Sequence, residues 1–469
     1  MDTLNREILR LALPSILANL TVPLVGMVDI AVAGHLGTGD AAVPGGMTAA
    51  AFIGGVTVGS LLFDLLYWNF SFLRVSTGGL VAQAFGRGET EECANIFRRG
   101  VLLSLILSVV ILLLQWPFQK LAFLVVRTTP SVHDLALRYF LIRIWAAPAT
   151  LSLMVFRGWF VGMQDSFSSM LTDLTVNVVN IAASIALASG AFGWGGMGFS
   201  GIALGTVVAQ YSGLLLATAI VLTKYRLTVK RTHRDNLPKL LDRDKLRGYM
   251  SMNNDLFIRS LCFIAIYIGY TTIAARYGDV FLSCSAILMK ILMLFSFFTD
   301  GFAYSGEALT GRFIGEGNEL QLQRTVRYVF LWSMGVAALF MAIYAFAGQW
   351  IVGIMTSDRE VSDACGRFML WLLLMPPLGC AAFTWDGIYE GATASKPVRN
   401  AMILAMLAFF AVYFGGVFAG GIAGASECFD NAAMHLLMAA YFAHLFVRTV
   451  YLSLRYKKDI RTSARKEVV

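Results

Sequence analysis

The segment 158–166, with the sequence GWFVGMQDS, aligns without a gap with the segment 387–395, GIYEGATAS, when the chain is shifted by 229 residues. Both segments have glycine at their first and fifth positions and serine at their ninth. The same shift aligns further pairs: Gly86/Gly315, Gly88/Gly317, Arg98/Arg327, Ser104/Ser333, Val132/Val361, Arg138/Arg367 and Pro148/Pro377. The matched residues mostly have backbone or interfacial roles, so chance matching of apolar residues explains them poorly. Because the shift is about half of the 469 residues, the sequence predicts two copies of one unit.

The composition is typical of a polytopic α-helical membrane protein. Hydrophobic residues make up 57% of the chain and charged residues 14%, whereas a typical soluble domain is about 25% charged. Runs of about 20 apolar residues recur, each long enough to cross a bilayer as a helix. A β-barrel would instead show short segments of alternating hydrophobicity. We therefore predict twelve transmembrane helices near 8–34, 48–84, 96–124, 134–162, 167–190, 195–223, 248–276, 280–313, 324–350, 361–391, 397–421 and 430–455.

The positions of Lys and Arg predict how these helices are oriented. Basic residues concentrate in the segment 224–247, in the tail from 455 onward and in the even-numbered loops, whereas the odd-numbered loops hold few. By the positive-inside rule, both termini and the segment 224–247 lie in the cytoplasm. With six helices in each half, a pseudo-two-fold axis along the membrane normal relates the halves. The predicted domains are an amino-terminal lobe at 1–223, a cytoplasmic linker at 224–247 and a carboxyl-terminal lobe at 248–469.

Charge, cysteine content and motifs exclude several classes of function. The net charge of +8 follows from the topology, so we expect membrane lipid and no nucleic acid as a partner. The six cysteines show no close pairing and no metal-ligand spacing, which indicates packing residues or free thiols. No P-loop, His-Glu-x-x-His or Gly-x-Ser-x-Gly motif is present. We predict that the chain is not an enzyme, needs no cofactor and uses an ion gradient or the gradient of its substrate.

Asp29 is the strongest candidate for a functional residue. An ionisable group within a transmembrane helix costs about 2.5–3.5 kcal/mol on insertion scales and is retained mainly for function. Pro14 and Pro23, earlier in the same predicted helix, remove backbone donors and allow the helix to bend. One interpretation is a carboxylate that binds a proton or cation and changes the conformation of this helix. The alternative is an inert, hydrogen-bonded carboxylate at the outer end of the helix.

The fifth predicted helix carries a polar stripe. Its members recur at a spacing that keeps them on one helical face; they are Asp173, Asn177, Asn180 and Ser184. Amide and hydroxyl oxygens suit hard cations such as Na⁺, and they also hydrogen-bond a titrating carboxylate. The alternative is that the stripe joins helices by hydrogen bonds without a role in transport.

Two pairs of acidic residues mark the carboxyl-terminal half. Asp386 and Glu390 are one turn apart on the tenth helix, and Asp300 and Glu307 share a face of the eighth. Each pair is a candidate for ion coupling or substrate binding. The alternative is charge compensation by basic residues within the membrane, namely Arg143, Arg157, Arg259 or Lys290. On the second helix, we interpret Asp64 and Arg74 mainly as charges that take part in helix packing or in gating.

Seven motifs spread over the chain carry a family resemblance. They are LALP at 11–14, VDIAVAGHLG at 28–37, FLRVSTGGLVAQA at 72–84, NVVNI at 177–181, GIALGTVVAQ at 201–210, DGFAYSGEAL at 300–309 and WDGIYEGAT at 385–393. Together they make the chain similar to the multidrug and toxic compound extrusion (MATE) transporters, in the DinF-like branch. The resemblance implies two six-helix lobes, alternating access and export of organic cations or other amphipathic compounds against H⁺ or Na⁺.

Carried over by position, Asp29 resembles the coupling carboxylate of the family's first helix. Asn180 resembles its partner on the fifth helix, and Thr206 matches a hydroxyl on the sixth. Many relatives have Asp four residues after that Asn, where this chain has Ser184. A cation at Asp29 and Asn180 would then be held by one carboxylate and neutral oxygens, which weakens the case for Na⁺ and favours a proton.

The sequence thus predicts a monomeric antiporter of the cell's inner membrane that exports small cationic or amphipathic compounds. Protonation of Asp29 drives the cycle in this interpretation. The nearest alternative is a flippase for lipid-linked saccharides, in which Arg74, Arg143, Arg157 and Arg259 would converge on a pyrophosphate. An intramembrane transferase is a further alternative, although the outward loops hold few suitable groups.

Overall fold

A computed structural model describes residues 3–36, 48–126, 129–190, 195–230, 242–356, 358–420 and 431–461. Nearly all of these residues are helical, and none of them forms a β-strand. Several predicted features lie outside the described residues. They are the loop 37–47, the basic residues Arg231, Arg234 and Lys239 of the predicted linker, Cys428, and the end of the basic tail at 462–469.

The first half of the chain forms nine helices in the described part: α1 (Thr3–Leu36), α2 (Ala49–Trp68), α3 (Phe72–Gly86), α4 (Thr90–Val125), α5 (Pro130–Arg143), α6 (Ala147–Gly162), α7 (Ser166–Ser189), α8 (Phe199–Lys224) and α9 (Arg226–Lys230). The second half forms α10 (Arg243–Ala275), α11 (Asp279–Gly315), α12 (Glu319–Met355), α13 (Arg359–Arg367), α14 (Met369–Gly391), α15 (Ser395–Gly420) and α16 (Asn431–Tyr456).

Among the described residues, twelve helical segments are long and apolar enough to cross a membrane, which confirms the predicted number. Three segments differ in shape from the prediction, and one of them, Pro130–Gly162, consists of α5 and α6 joined by a 3-10 turn at 144–146. The second segment, Ala49–Gly86, consists of α2 and α3 joined by a turn at 69–71. The tenth begins at Met369 and not at 361, because the short amphipathic helix α13 precedes it and ends before Phe368.

Internal contacts divide the chain into two compact units. The carboxyl unit comprises Met1–Ile16, Ala82–Arg87 and Arg247–Val469, and the amino unit comprises Leu17–Val81 and Gly88–Leu246. Each unit is drawn mainly from one half of the sequence. The carboxyl unit also includes the start of α1, where Trp332 Nε1 donates to Asn5 Oδ1 at 3.1 Å and a Cβ at Gly301 would lie 2.9 Å from the Ala12 carbonyl.

Close packing of α7 and α8 organises the polar part of the amino unit. Asp165 caps the start of α7, and Gly190 ends the helix in the left-handed conformation with φ of 72°. A Cβ at Gly205 on α8 would lie 2.6 Å from the backbone nitrogen of Ser184. The absence of a side chain at Gly205 therefore lets the backbones approach and fixes Ser184 against α8.

Contacts between α11 and α14 organise the carboxyl unit. Gly387 and Gly391 on α14 face the carbonyl oxygens of Ala303 and Glu307 on α11, where a Cβ would overlap the backbone. Buried aromatic side chains fill the core, each at most 5% exposed: Phe281, Phe295, Phe340, Tyr344, Phe368 and Phe409. The small residues thus set the helix spacing and the large ones fill the remaining volume.

The 229-residue repeat predicted from the glycines appears in the geometry of both units. Gly158 faces the carbonyl of Arg74 in the amino unit, just as Gly387 faces that of Ala303 in the carboxyl unit, and the facing residues are themselves equivalent in the repeat. Left-handed residues are also paired. Gln164 and Thr393 have φ of 62° and 54°, and Gly88 and Gly317 have φ of 74° and 67°. Each half therefore turns at the same two places.

Substituting the packed glycines is expected to destabilise the protein. We expect Gly162→Ala to lower the thermal unfolding midpoint in detergent, because the new Cβ would lie 2.7 Å from the Gly78 carbonyl, and overpacking of this kind costs about 1–3 kcal/mol. The matched control is Gly335→Ala on α12, where no atom lies within 4 Å of the added carbon. This control should be neutral or slightly stabilising, since alanine is the better helix former. Equal midpoints for the two variants would contradict the packing described.

Asp165 joins the start of α7 to the end of α8 and lies outside the candidate spans. Its Oδ2 accepts hydrogen bonds from Ser168 Oγ at 2.6 Å, Lys224 Nζ at 2.6 Å and Tyr225 OH at 2.7 Å. Burial by itself raises the pKa of Asp165, but the hydrogen bonds from Lys224, Ser168 and Tyr225 outweigh it, so the pKa is lowered from the ordinary value of 3.8.

A lowered pKa in the folded state stabilises the protein above pH 3.8, and this contribution is lost as the pH falls through the folded pKa. We therefore expect Asp165→Asn to lower the unfolding midpoint at neutral pH, with a difference from the native chain that shrinks on acidification. Thermal unfolding in detergent across this pH range measures the effect. The control is Asp134→Asn on α5, whose side chain is 74% exposed. A difference that is constant with pH would show that the ionised carboxylate is not the stabilising species.

Candidate functional site

Helix α1 buries the Asp29 carboxylate inside the amino unit. The helix continues through Pro14 and Pro23, and Asp29 is 5% exposed although Met27 and Ile30 beside it are largely exposed. Its Oδ1 atom is buried and has no hydrogen-bond partner among the described residues. The carboxylate as a whole has the Ser184 hydroxyl as its hydrogen-bonding neighbour, and the positive charge of the Arg143 guanidinium stabilises its ionised form through space. Asp29 therefore points into the protein, and its protonation changes the charge of a desolvated group.

Polar side chains of α7 and α8 form a hydrogen-bonded cluster that reaches this carboxylate through Ser184. Asn180 Nδ2 donates to Thr206 Oγ1 at 3.0 Å, and the Ser184 hydroxyl lies 3.5 Å from Asn180 Oδ1. Ser184 and Thr206 also lie 3.4 Å from the carbonyl of Ile202. All three side chains are at most 4% exposed. The structure thus brings together Asn180, Ser184 and Thr206, with Ser184 beside Asp29, four residues that the sequence had indicated as one candidate coupling site.

The other two members of the polar stripe have different partners. Asn177 Nδ2 donates to Thr21 Oγ1 of α1 at 2.5 Å, two turns before Asp29 on that helix. Asp173 forms an ion pair with Arg157 of α6, with 2.5 Å between Oδ1 and Nε. The stripe therefore contacts α1 at two positions, through Asn177 and through Ser184, and its first residue, Asp173, is held in an ion pair. Asn177 aligns α1 with α7, whereas the charge of Asp173 is compensated locally.

Arg143 is a neighbour of Asp29 that the sequence did not reveal. From the sequence, Arg143 was a candidate counter-ion for carboxylates of the other half, but it lies in the amino unit. Its Nη1 donates to Tyr139 OH at 3.0 Å, and its Cζ lies 4.8 Å from the centre of the Phe63 ring. Its charge acts on both Asp29 and Asp64. Aromatic residues thus hold a cation beside the candidate site.

Asp386 and Glu390 form a network with two arginines in the carboxyl unit. Arg259 of α10 bridges them, with its Nη2 2.5 Å from Asp386 Oδ2 and its Nη1 2.5 Å from Glu390 Oε1. Arg448 of α16 donates from Nε to Asp386 Oδ1 at 3.0 Å and from Nη2 to Asp386 Oδ2. The two carboxylates are matched by two guanidinium groups in this network. This arrangement favours charge compensation over a vacant ion site.

Sequence reasoning proposed Arg259 as a compensating charge but missed Arg448. The available signal was an arginine inside the apolar segment of α16, where an ionisable residue is costly. Asp300 and Glu307 both lie on α11. Glu307 is fully buried, its backbone carbonyl faces Gly391 of α14, and Asp300 is half-buried. Glu307 is therefore placed at the packed contact of the carboxyl unit.

The site near Asp29 offers one carboxylate to a cation. The described residues contain no group of three or more His, Cys, Asp or Glu side chains that could hold a metal ion. The Asn180 amide is engaged with Thr206 through its nitrogen and with Ser184 through its oxygen. A proton needs only the carboxylate, whereas Na⁺ would need several of these oxygens to turn toward it.

Comparison with known proteins decides the family. The MatE family model matches residues 14–186 and 256–414, one segment in each half of the sequence. The chain belongs to the MatE family. It is 33% identical over 405 residues to DNA damage-inducible protein F of Escherichia coli (strain K12), covering 86% of this chain and 84% of that protein. It is 23% identical over 405 residues to a probable multidrug resistance protein NorM of Photorhabdus laumondii, covering 84% of this chain and 83% of that protein.

Solved MATE structures share the fold. The crystal structure of MATE in the bent conformation covers 100% of this chain and 98% of its own, with a TM-score of 0.84 and 16% identity. The outward-facing conformation of a multidrug resistance MATE family transporter covers 98% of this chain and 97% of its own, with a TM-score of 0.82 and 17% identity. The predicted resemblance and the all-α membrane fold are confirmed. The chain is a transporter of the multidrug and toxic compound extrusion type and not an enzyme.

Proposed function

We propose that this chain is a secondary active transporter that exports small organic cations or other amphipathic compounds in exchange for protons, with Asp29 as the coupling group. The observation that carries the proposal is the burial of Asp29, which is 5% exposed, beside the neutral donors and acceptors of α7 and α8. A carboxylate in this setting changes the charge of the helix interior when it takes up a proton. Multidrug resistance is also the role that the names of two similar proteins give, and export of the toxic compound would provide it.

The contacts within the site support a proton over Na⁺. A second carboxylate at position 184 would give a cation site two negative charges, but this chain has the neutral hydroxyl of Ser184 there. The Asn180 amide is already hydrogen-bonded to Thr206. Divalent and monovalent hard cations bind where several oxygens converge. A site with one carboxylate and internally bonded amide and hydroxyl groups suits a proton better.

The proposed cycle begins with protonation of Asp29 from the outer side. The neutral side chain no longer requires the field of Arg143 or the hydrogen bond of Ser184, so α1 is free to bend near Pro14 and Pro23. Bending displaces the bound compound outward, and release of the proton to the cytoplasm restores the ionised state. The carboxylates Asp386 and Glu390 serve as fixed partners of Arg259 and Arg448 in this scheme.

The flippase alternative has less support from the contacts. It requires arginines that converge on a pyrophosphate, but Arg157 pairs with Asp173, Arg259 pairs with Asp386 and Glu390, and Arg143 bonds Tyr139. These partners lie within the arginines' own units. We further propose that the protein is a monomer of the inner membrane. The distribution of Lys and Arg supports the placement of both termini in the cytoplasm.

Efflux from cells tests the proposal against the flippase alternative. We expect cells that lack the protein to retain an ethidium-like cation, and we expect the native chain to restore its export. A substitution in the exposed part of the protein, Asp134→Asn, should restore export equally well. Accumulation of lipid-linked saccharide precursors, with unchanged retention of the cation, would contradict the proposal and support a flippase.

A further inference from the structure

Two buried cysteines face each other between α11 and α13. Cys284 and Cys365 are 81 positions apart in the sequence, and the Cys365 Sγ lies 4.0 Å from the Cys284 carbonyl oxygen. Both side chains are fully buried in the core of the carboxyl unit, and their thiols are within hydrogen-bonding reach of each other. The other three described cysteines, Cys93, Cys262 and Cys380, are also free.

The sequence of α13 explains how Cys365 reaches this position. The helix has nine residues, and its buried residues Val361, Ala364 and Cys365 continue to the buried Phe368 at helical spacing. The opposite face is polar and exposed. Gln349 Nε2 donates to Ser362 Oγ at 3.2 Å, which fastens the helix to α12. Docking of α13 therefore inserts the Cys365 thiol directly beside α11.

Both thiols lie at the outer end of the carboxyl unit. This placement rests on the topology proposed above. Helix α13 connects the ninth and tenth candidate spans, and Cys284 lies near the start of the eighth span at Asp279. With a cytoplasmic amino terminus, both places face the outer side. Disulfides form and persist on that side of a cell membrane, where the surroundings are oxidising.

We propose that Cys284 and Cys365 form a disulfide bond as α13 docks during assembly of the protein. A thiol hydrogen bond from Cys284 lowers the pKa of Cys365, although burial opposes this, and so favours Cys365 as the first nucleophile. The Cys365 thiolate attacks a disulfide oxidant and releases one of its thiols. The Cys284 thiolate then attacks the Cys365 sulfur, closes the new bond and releases the second thiol of the oxidant. The oxidant thereby gains two electrons and the two cysteine protons.

The bond would attach α13 to α11, two helices that are far apart along the chain and are separated by α12. Helix α13 is short, and a helix of this length is not stable by itself in water. A cross-link that closes a long loop restricts the unfolded chain most strongly. The expected consequence is resistance of the outer end of α11 and α13 to unfolding. Because both sulfurs are buried, reductants should reach the bond only after the protein is denatured.

Peptide mapping of the full-length native chain tests the proposal. Cells are treated with an alkylating reagent before lysis, the protein is denatured in the presence of the same reagent so that buried free thiols are also labelled, and it is digested without reductant. We expect a cross-linked pair of peptides that contain Cys284 and Cys365, which disappears when dithiothreitol is added after denaturation. In a thermal unfolding scan with dithiothreitol present, we also expect the midpoint to fall by several degrees, because the bond is reduced once the chain unfolds. Recovery of both cysteines as alkylated thiols from the native chain would overturn the proposal.

Matched variants identify the pair. Cys284→Ser should make Cys365 alkylatable in the denatured protein, and Cys365→Ser should do the same for Cys284. The controls Cys262→Ser and Cys380→Ser should leave the cross-linked peptides unchanged. If a serine variant does not fold, the mapping of the unaltered chain still decides the question. Transport is not measured in this experiment, so its result is independent of whether the proposed efflux activity is correct.

Discussion

Asp29→Asn is expected to abolish substrate-driven proton exchange while leaving the protein folded. Asparagine has nearly the shape of aspartate but cannot take up a proton at this position, and it still reaches Ser184. Exchange of one proton for one monovalent cation moves no net charge, so the pH gradient drives it, and one pH unit is worth about 1.4 kcal/mol, or about a tenfold concentration ratio of substrate. The variant should therefore lose about tenfold in the substrate ratio for each unit of the imposed pH gradient. Proteoliposomes with a pH-sensitive dye in the lumen measure the exchange.

Two further variants make this result specific. Asp29→Glu retains a titratable group and should retain part of the exchange, and the exposed Asp134→Asn should exchange protons at the native rate. Equal thermal unfolding midpoints for the Asn variant and the native chain would show that the loss is functional. Native proton exchange in a folded Asp29→Asn protein would remove Asp29 from the coupling mechanism.

Arg448→Met is expected to cause the largest loss of stability. Arg448 is 2% exposed and Asp386 is 6% exposed, so the substitution leaves part of a buried carboxylate without its counter-ion. Removal of one partner from a buried ion pair costs about 3–5 kcal/mol. We expect a low yield of folded protein and a strongly lowered unfolding midpoint in detergent. The exposed Arg359 on α13 provides the matched control, since Arg359→Met should have little effect.

The double variant Arg448→Met with Asp386→Asn separates ion pairing from packing. Removal of both charges eliminates the buried carboxylate, so the double variant should be more stable than Arg448→Met alone. A double variant that loses the sum of the two single losses would show that the two residues do not interact. That result would also weaken the assignment of Asp386 and Glu390 as charges held by arginines.

The sequence specified helix number and internal duplication because both depend on local chemistry. Twelve apolar runs can be counted directly, and the glycines that repeat every 229 residues are those that permit close backbone contact, as Gly158 and Gly387 show. The break between α13 and α14 was missed because the buried face of the amphipathic α13, with Val361, Ala364 and Cys365, directly precedes the apolar start of α14. The turn between α2 and α3 was missed because it lies inside one long apolar segment, Ala49–Gly86.

Pairings between helices were harder to predict from the sequence. Arg448 and Asp386 are 62 residues apart, and their contact depends on the rotation of α14 and α16 about their axes, which composition does not encode. The same holds for Arg143, whose placement near Asp29 depends on how α5 packs. In contrast, Asn180 and Ser184 could be placed on one face of α7 because their spacing follows the helical period.

The most direct test of proton-coupled efflux through the amino unit is uptake of an ethidium-like cation into proteoliposomes under one imposed gradient at a time. With the lumen more acidic than the bath and no sodium present, we expect the native chain to accumulate the cation and Asp29→Asn not to do so. With a sodium gradient of the same direction at equal pH on both sides, we expect no accumulation. Accumulation driven by sodium alone, or accumulation by Asp29→Asn under the pH gradient, would contradict proton coupling through Asp29.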